Sequence, residues 1–126
     1  MLHHVSFGVA NLVRAADFYD AALRELGYAR VWTNDDAVGY GLPDGGDKLA
    51  IKQVGTGTHA PGAGFHLALA APSRESVDAF HRVALSRGGV DNGAPGLRPR
   101  YGPSYYAAFV VDPDGHRIEA VINDPR

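Results

Sequence analysis

Apolar and polar residues alternate along residues 3–9, the mark of a strand with one buried face. Helical spacing replaces alternation over residues 12–26, where Ala15, Phe18, Tyr19, Ala22 and Leu23 fall on one stripe. Asn11 stands where an N-cap is needed and Gly27 where a left-handed C-cap is needed. Three short alternating runs follow, at residues 29–33, 37–41 and 48–53. The same succession then returns. A strand is expected at 65–71, a helix at 74–87 capped by Ser73 and ended by Gly88-Gly89, and a hairpin of strands at 105–111 and 117–122. Pro43-Asp44-Gly45 and Pro113-Asp114-Gly115 supply the tight turn before the last strand of each half. Residues 90–102, rich in Gly, Pro and Arg, read mostly as a loop.

One constant offset places His4 on His66, Phe18 on Phe80, Ala22 on Ala84, Leu23 on Leu85 and Gly27 on Gly89. The chain therefore reads as one unit written twice, residues 1–57 and 58–126, each a strand–helix–strand–strand–strand module. The expected class is α+β: two βαβββ modules forming a curved mixed sheet around a trough, with the helices outside. The modules can pair within one chain or across two copies.

Strand parity then sorts the side chains. Val5, Phe7 and Val9 face the first helix, leaving His4, Ser6 and Gly8 on the trough side. Leu67, Leu69 and Ala71 leave His66, Ala68 and Ala70 there, and Ile118, Ala120 and Ile122 leave Glu119 and Val121. His4, His66 and Glu119 make a two-imidazole, one-carboxylate ligand set with positions open to substrate. A wet trough face is the plainer reading of each residue taken alone. Aligning the last strands pairs Glu119 with Ala50, which cannot bind a metal, so the site expected is three-ligand.

Composition narrows the picture. With no cysteine, any metal must be held by His, Asp or Glu. A net charge of −2 gives no basic field for nucleic acid. No apolar run is long enough for a membrane span, and the first strand starts so early that no signal peptide is expected. A cytoplasmic setting is the expectation. Sixteen glycines imply many tight turns or a backbone that comes close to something.

His4-Val5-Ser6-Phe7-Gly8-Val9, the helix with Ala16-Asp17-Phe18-Tyr19, Phe65-His66-Leu67-Ala68-Leu69 and Asp112-Pro113-Asp114-Gly115-His116-Arg117-Ile118-Glu119 together resemble the vicinal oxygen chelate superfamily. Its members include glyoxalase I, bleomycin-resistance proteins, extradiol dioxygenases and fosfomycin-resistance thiol transferases. The resemblance spans essentially the whole chain. It implies a divalent ion (Mn, Fe, Ni, Co or Zn) at His4, His66 and Glu119, a small oxygenated substrate chelated through neighbouring oxygens, and a homodimer. The function it implies is a metal-dependent lyase, isomerase or dioxygenase, or else a metal-free, drug-binding protein of the bleomycin-resistance kind. Ala50 stands where glyoxalase I has its fourth ligand, which disfavours ordinary glyoxalase I chemistry. Proton transfer is then expected of Tyr105, Tyr106 or Ser6, or of the substrate itself; one tyrosine of the adjacent pair faces the trough and the other the helix.

Other residues carry two readings each. Trp32 and Tyr40 are either an aromatic wall or core packing. Arg98, Arg100 and Tyr101 either close over an anionic substrate or stay solvated. His81 is expected at the surface, His3 has the wrong parity to join His4, and His116 is a remote candidate for supporting the site.

Overall fold

The computed structural model describes residues 1–57 and 59–125; the expected module boundary falls on residue 58, outside the described residues. The elements run β1 (Val5–Val9), α1 (Leu12–Arg24), β2 (Ala29–Thr33), β3 (Ala37–Gly41), β4 (Leu49–Gln53), then β5 (Leu67–Ala70), α2 (Arg74–Ser86), β6 (Val90–Leu97), β7 (Tyr106–Val111) and β8 (Arg117–Ile122). They build two four-stranded mixed sheets of identical order, β1-β4-β3-β2 and β5-β8-β7-β6. In each sheet the first and last strands of the module pair in parallel and the other pairs are antiparallel. This is the α+β fold of two βαβββ modules.

Local chemistry explains the elements. Asn11 accepts a hydrogen bond from the Arg14 amide, and Ser73 from the Ser76 amide, so both helices are side-chain capped at the start. Burial follows the apolar stripes: Phe18, Tyr19, Ala22 and Leu23 in α1, Val77, Phe80 and Ala84 in α2. Each stripe covers one face of its own sheet, and the two helices also pack on each other. Gly89 makes that approach possible. A Cβ there would lie 2.7 Å from the Ala84 carbonyl oxygen and 2.9 Å from the Phe18 ring.

One segment departs from expectation. Residues 90–97, read as loop, form the edge strand β6, with register shifts at Asp91/Gly93 and Gly93/Gly96. Pro95, with Gly93, Ala94 and Gly96 around it, erases the alternation that marks a strand. An edge position tolerates this, because only one side of the strand must pair. Among the described residues no helix is long and apolar enough to cross a membrane.

The turn before β8 fastens the second module to the first. Tyr19 Oη donates to Asp112 Oδ2 at 2.6 Å, while Asp112 Oδ1 accepts from the amides of Asp114 and His116. Asp114 Oδ1 accepts from the Ala10 amide and from Arg14. His116 is 2% exposed, stacks on Phe7 at 4.2 Å between ring centres, and donates from Nε2 to the Gly8 carbonyl at 2.8 Å. Its role is thus to join the modules.

Candidate active site

The second module carries a compact polar centre. Glu119 projects from β8, opposite Ala68 on β5 and Phe109 on β7. It is 1% exposed, yet neither oxygen meets an arginine or lysine among the described residues. His66, just before β5, donates from Nε2 to Glu119 Oε1 at 2.8 Å. Tyr105, just before β7, donates from its hydroxyl to Glu119 Oε2 at 2.5 Å. Burial, and then the neighbouring carboxylate, push the Tyr105 phenol up to about 12. At neutral pH Tyr105 is therefore a proton donor to Glu119 and not a resting base.

These three residues, with Tyr101 and Phe109, line a cavity of about 190 Å³. Phe109 meets the His66 ring edge-on at 6.0 Å, and Tyr101 tilts against Tyr105 at 5.3 Å. A larger depression of about 650 Å³ lies between residues 34–37 and 52–54, but no imidazole or aromatic ring lines it. The smaller cavity is the candidate site.

The first module presents a different face. Ser6 is exposed on β1, opposite Ala50 on β4, and Ala50 in turn lies opposite Gly39 on β3. Since Ala68 and Glu119 hold the corresponding rungs of the second sheet, Ala50 is the structural counterpart of Glu119. Trp32 lies over Gly39: a Cβ on that glycine would be 2.2 Å from the indole nitrogen. Tyr40 is core, its hydroxyl bonded to Asp20, so of the two aromatic candidates only Trp32 lies outside the core.

His4 joins neither His66 nor Glu119 within the described chain. Its Nδ1 lies 2.8 Å from His3 Nδ1 and 4.0 Å from Asp47 Oδ2. His3, His4 and Asp47 are the one group of three metal-capable side chains clustered among the described residues. This corrects the expectation that parity separates His3 from His4. Both precede the first rung of β1, where the pleat no longer dictates direction.

Tyr106 points to the helix side and donates to Asp78 of α2 at 2.6 Å, away from Glu119. His81, expected at the surface, is 11% exposed in its side chain and donates to Asp91. Phe109 escaped the sequence reading. Counting back from Glu119 through the Pro113-Asp114-Gly115 turn would have placed it on the opposite rung.

Paired βαβββ modules with an imidazole–carboxylate centre on the second sheet define a glyoxalase-type protein. The Glyoxalase/Bleomycin resistance protein/Dioxygenase superfamily model matches residues 1–120, and the chain belongs to that family. It is 35% identical to a glyoxalase/bleomycin resistance protein from Albidiferax ferrireducens T118, over 96% of this chain and 97% of that one, with a TM-score of 0.81. A putative glyoxalase from Bacillus halodurans is 31% identical over 96% and 94%, with a TM-score of 0.70. A glyoxalase-related enzyme from Fulvimarina pelagi, 24% identical over 98% and 88% with a TM-score of 0.74, shares the fold. No curated protein matches the chain in sequence.

Proposed function

We propose that this protein is a divalent-metal-dependent lyase, isomerase or dioxygenase acting on a small oxygenated substrate, with His4, His66 and Glu119 as ligands. The observation that carries the reading is the Glu119 carboxylate. It is buried without a cationic side chain among the described residues, and it is bonded to an imidazole and a phenol. That donor set fits a hard or borderline divalent ion. When bound, the ion supplies Lewis-acid stabilisation of negative charge on a substrate oxygen.

The chain's own residues have distinct tasks. His66 and Glu119 bind. Tyr105 fixes Glu119 Oε2, keeping its own proton, and so sets the orientation of Oε1 toward His66. Tyr101, Tyr105 and Phe109 give the cavity an apolar wall that favours a flat substrate and excludes water. Ser6 stands on the His4 face as a hydrogen-bonding group for substrate.

The third ligand comes from a second copy. The latch at Asp112 and His116 and the packing of α1 on α2 hold the modules so that His4 meets His3 and Asp47 of its own chain. A twofold dimer that brings β1 of one copy to β5 of the other supplies His4 to the partner's centre, and does so at both sites at once.

A metal-free binder of aromatic ligands is the second reading, favoured by the aromatic lining of the cavity. Metal-stripped protein titrated with Mn, Fe, Co, Ni and Zn separates the two. The enzyme reading expects uptake of one ion per chain, lost in His66→Ala. It fails if no ion binds and His66→Ala leaves aromatic ligand binding intact.

A further inference from the structure

Two arginines stack on rings that line the cavity, without lining it themselves. The Arg98 guanidinium carbon lies 5.4 Å from the centre of the Phe109 ring, and that of Arg100 lies 5.4 Å from the centre of Tyr101. Arg98 is held there. Its amide donates to the Tyr105 carbonyl at 2.8 Å, continuing the β6–β7 ladder, and its Nη2 donates to the Ala94 carbonyl at 2.7 Å. Two glycines leave the bed on which it lies. A Cβ on Gly93 would come within 3.3 Å of Nη2, and one on Gly96 within 3.2 Å of Nη1. The first of these would also meet the Phe109 ring at 2.9 Å.

Neither guanidinium has a carboxylate partner among the described residues, although the chain is acidic overall. No Asp or Glu occurs from Gly93 to Val111. Arg98 is only partly exposed, and its side-chain hydrogen bond to the Ala94 carbonyl engages Nη2. A guanidinium carries five N–H donors in a planar fork, so donors remain for an incoming anion. Stacking on Phe109 holds that fork in one plane, which lowers the entropy cost of a two-point contact.

From this placement we infer that Arg98 is a substrate-binding residue that pairs with a carboxylate, so that the substrate is a small, flat organic acid, with Arg100 adding charge at the Tyr101 side. The inference rests on the cavity being the substrate site. It adds to that reading the charge and geometry of what enters.

Benzoate and its neutral isostere benzamide test it without a metal. Both are titrated into metal-stripped wild-type protein, with binding followed by NMR of the Phe109 and Tyr105 ring signals. The expected result is benzoate binding with perturbation of both rings, and benzamide binding about tenfold weaker, the scale of one charge-assisted contact. Arg98→Gln is expected to weaken benzoate about tenfold while leaving benzamide where it was. Equal affinity for the two probes, no benzoate binding at millimolar concentration, or an Arg98→Gln variant that binds benzoate like wild type overturns the inference. Metal uptake, measured on the same preparation, keeps the two proposals apart. Protein that binds metal without preferring benzoate loses only the carboxylate subsite. Protein that prefers benzoate without binding metal keeps the subsite and loses the metal reading.

Discussion

In the first module Trp32 on β2 faces Gly39 on β3; in the second, Gly93 on β6 faces Phe109 on β7. The large and small partners have exchanged strands. In the first sheet the indole lies over Gly39, which shares a rung with Ala50, and Ala50 is 1% exposed. In the second the ring stands on the strand next to Glu119, and a cavity opens between them. One duplicated frame thus yields a closed face beside the His3–His4 pair and an open face with a carboxylate. The turns differ in the same sense. Asp112 precedes Pro113-Asp114-Gly115 and bonds to Tyr19, whereas Leu42 precedes Pro43-Asp44-Gly45 and is 53% exposed. The modules keep a common fold but differ in chemistry: one presents His4 and Trp32, the other the Glu119 centre and the anchor.

Making the second module resemble the first should have the largest effect. Glu119→Ala removes the sole buried acid of the cavity and is expected to weaken metal uptake by more than about 100-fold, since losing even an outer partner costs roughly 10- to 100-fold. Isothermal titration with the preferred ion reads this directly. Retained affinity would remove Glu119 from the ligand set.

The reverse exchange tests whether the two rungs are equivalent. Ala50→Glu buries an acid on a sealed face with no partner there, so metal-stripped protein is expected to lose about 3 kcal/mol or more in chemical denaturation. Added divalent metal should restore part of that loss, because Ala50 is on the rung of Ser6, two residues along β1 from His4. A loss that metal does not touch would make the equivalence one of fold only.

Cutting the anchor comes next. Tyr19→Phe leaves Asp112 Oδ2 buried without its phenol donor, at an expected cost of about 1–3 kcal/mol. Gly39→Ala forces the indole off its glycine and is expected to cost about 1–2 kcal/mol. Trp32 is the single tryptophan, so a red shift of its emission reports the displacement. An unchanged spectrum would mean that the indole does not rest on Gly39 in solution.

Much of this division was visible in the sequence. The alignment of Ala50 with Glu119 survives as equivalent ladder rungs, Ser6 with Ala50 and Ala68 with Glu119, because pairing in a repeated sheet preserves register. The facing of Tyr105 and Tyr106 followed from period two alone. The strand β6 did not show, since proline and glycines erase alternation where an edge can still pair. The contact of His3 with His4 did not show either, because parity lapses before the first rung. The latch was unreadable for another reason: Tyr19 and Asp112 are far apart in sequence, and nothing local to either marks the bond.

The central claim is that the metal centre takes His4 from one copy and His66 with Glu119 from another. His4→Ala and His66→Ala homodimers, each expected to bind no metal, are mixed, partly unfolded to exchange subunits, and refolded. Random reassortment makes about half of the molecules mixed dimers, and each has one of its two centres intact, so metal content should recover to about one quarter of wild type. No recovery in verified mixed dimers would contradict the account, because ligands drawn from a single chain leave every centre of such a mixture broken.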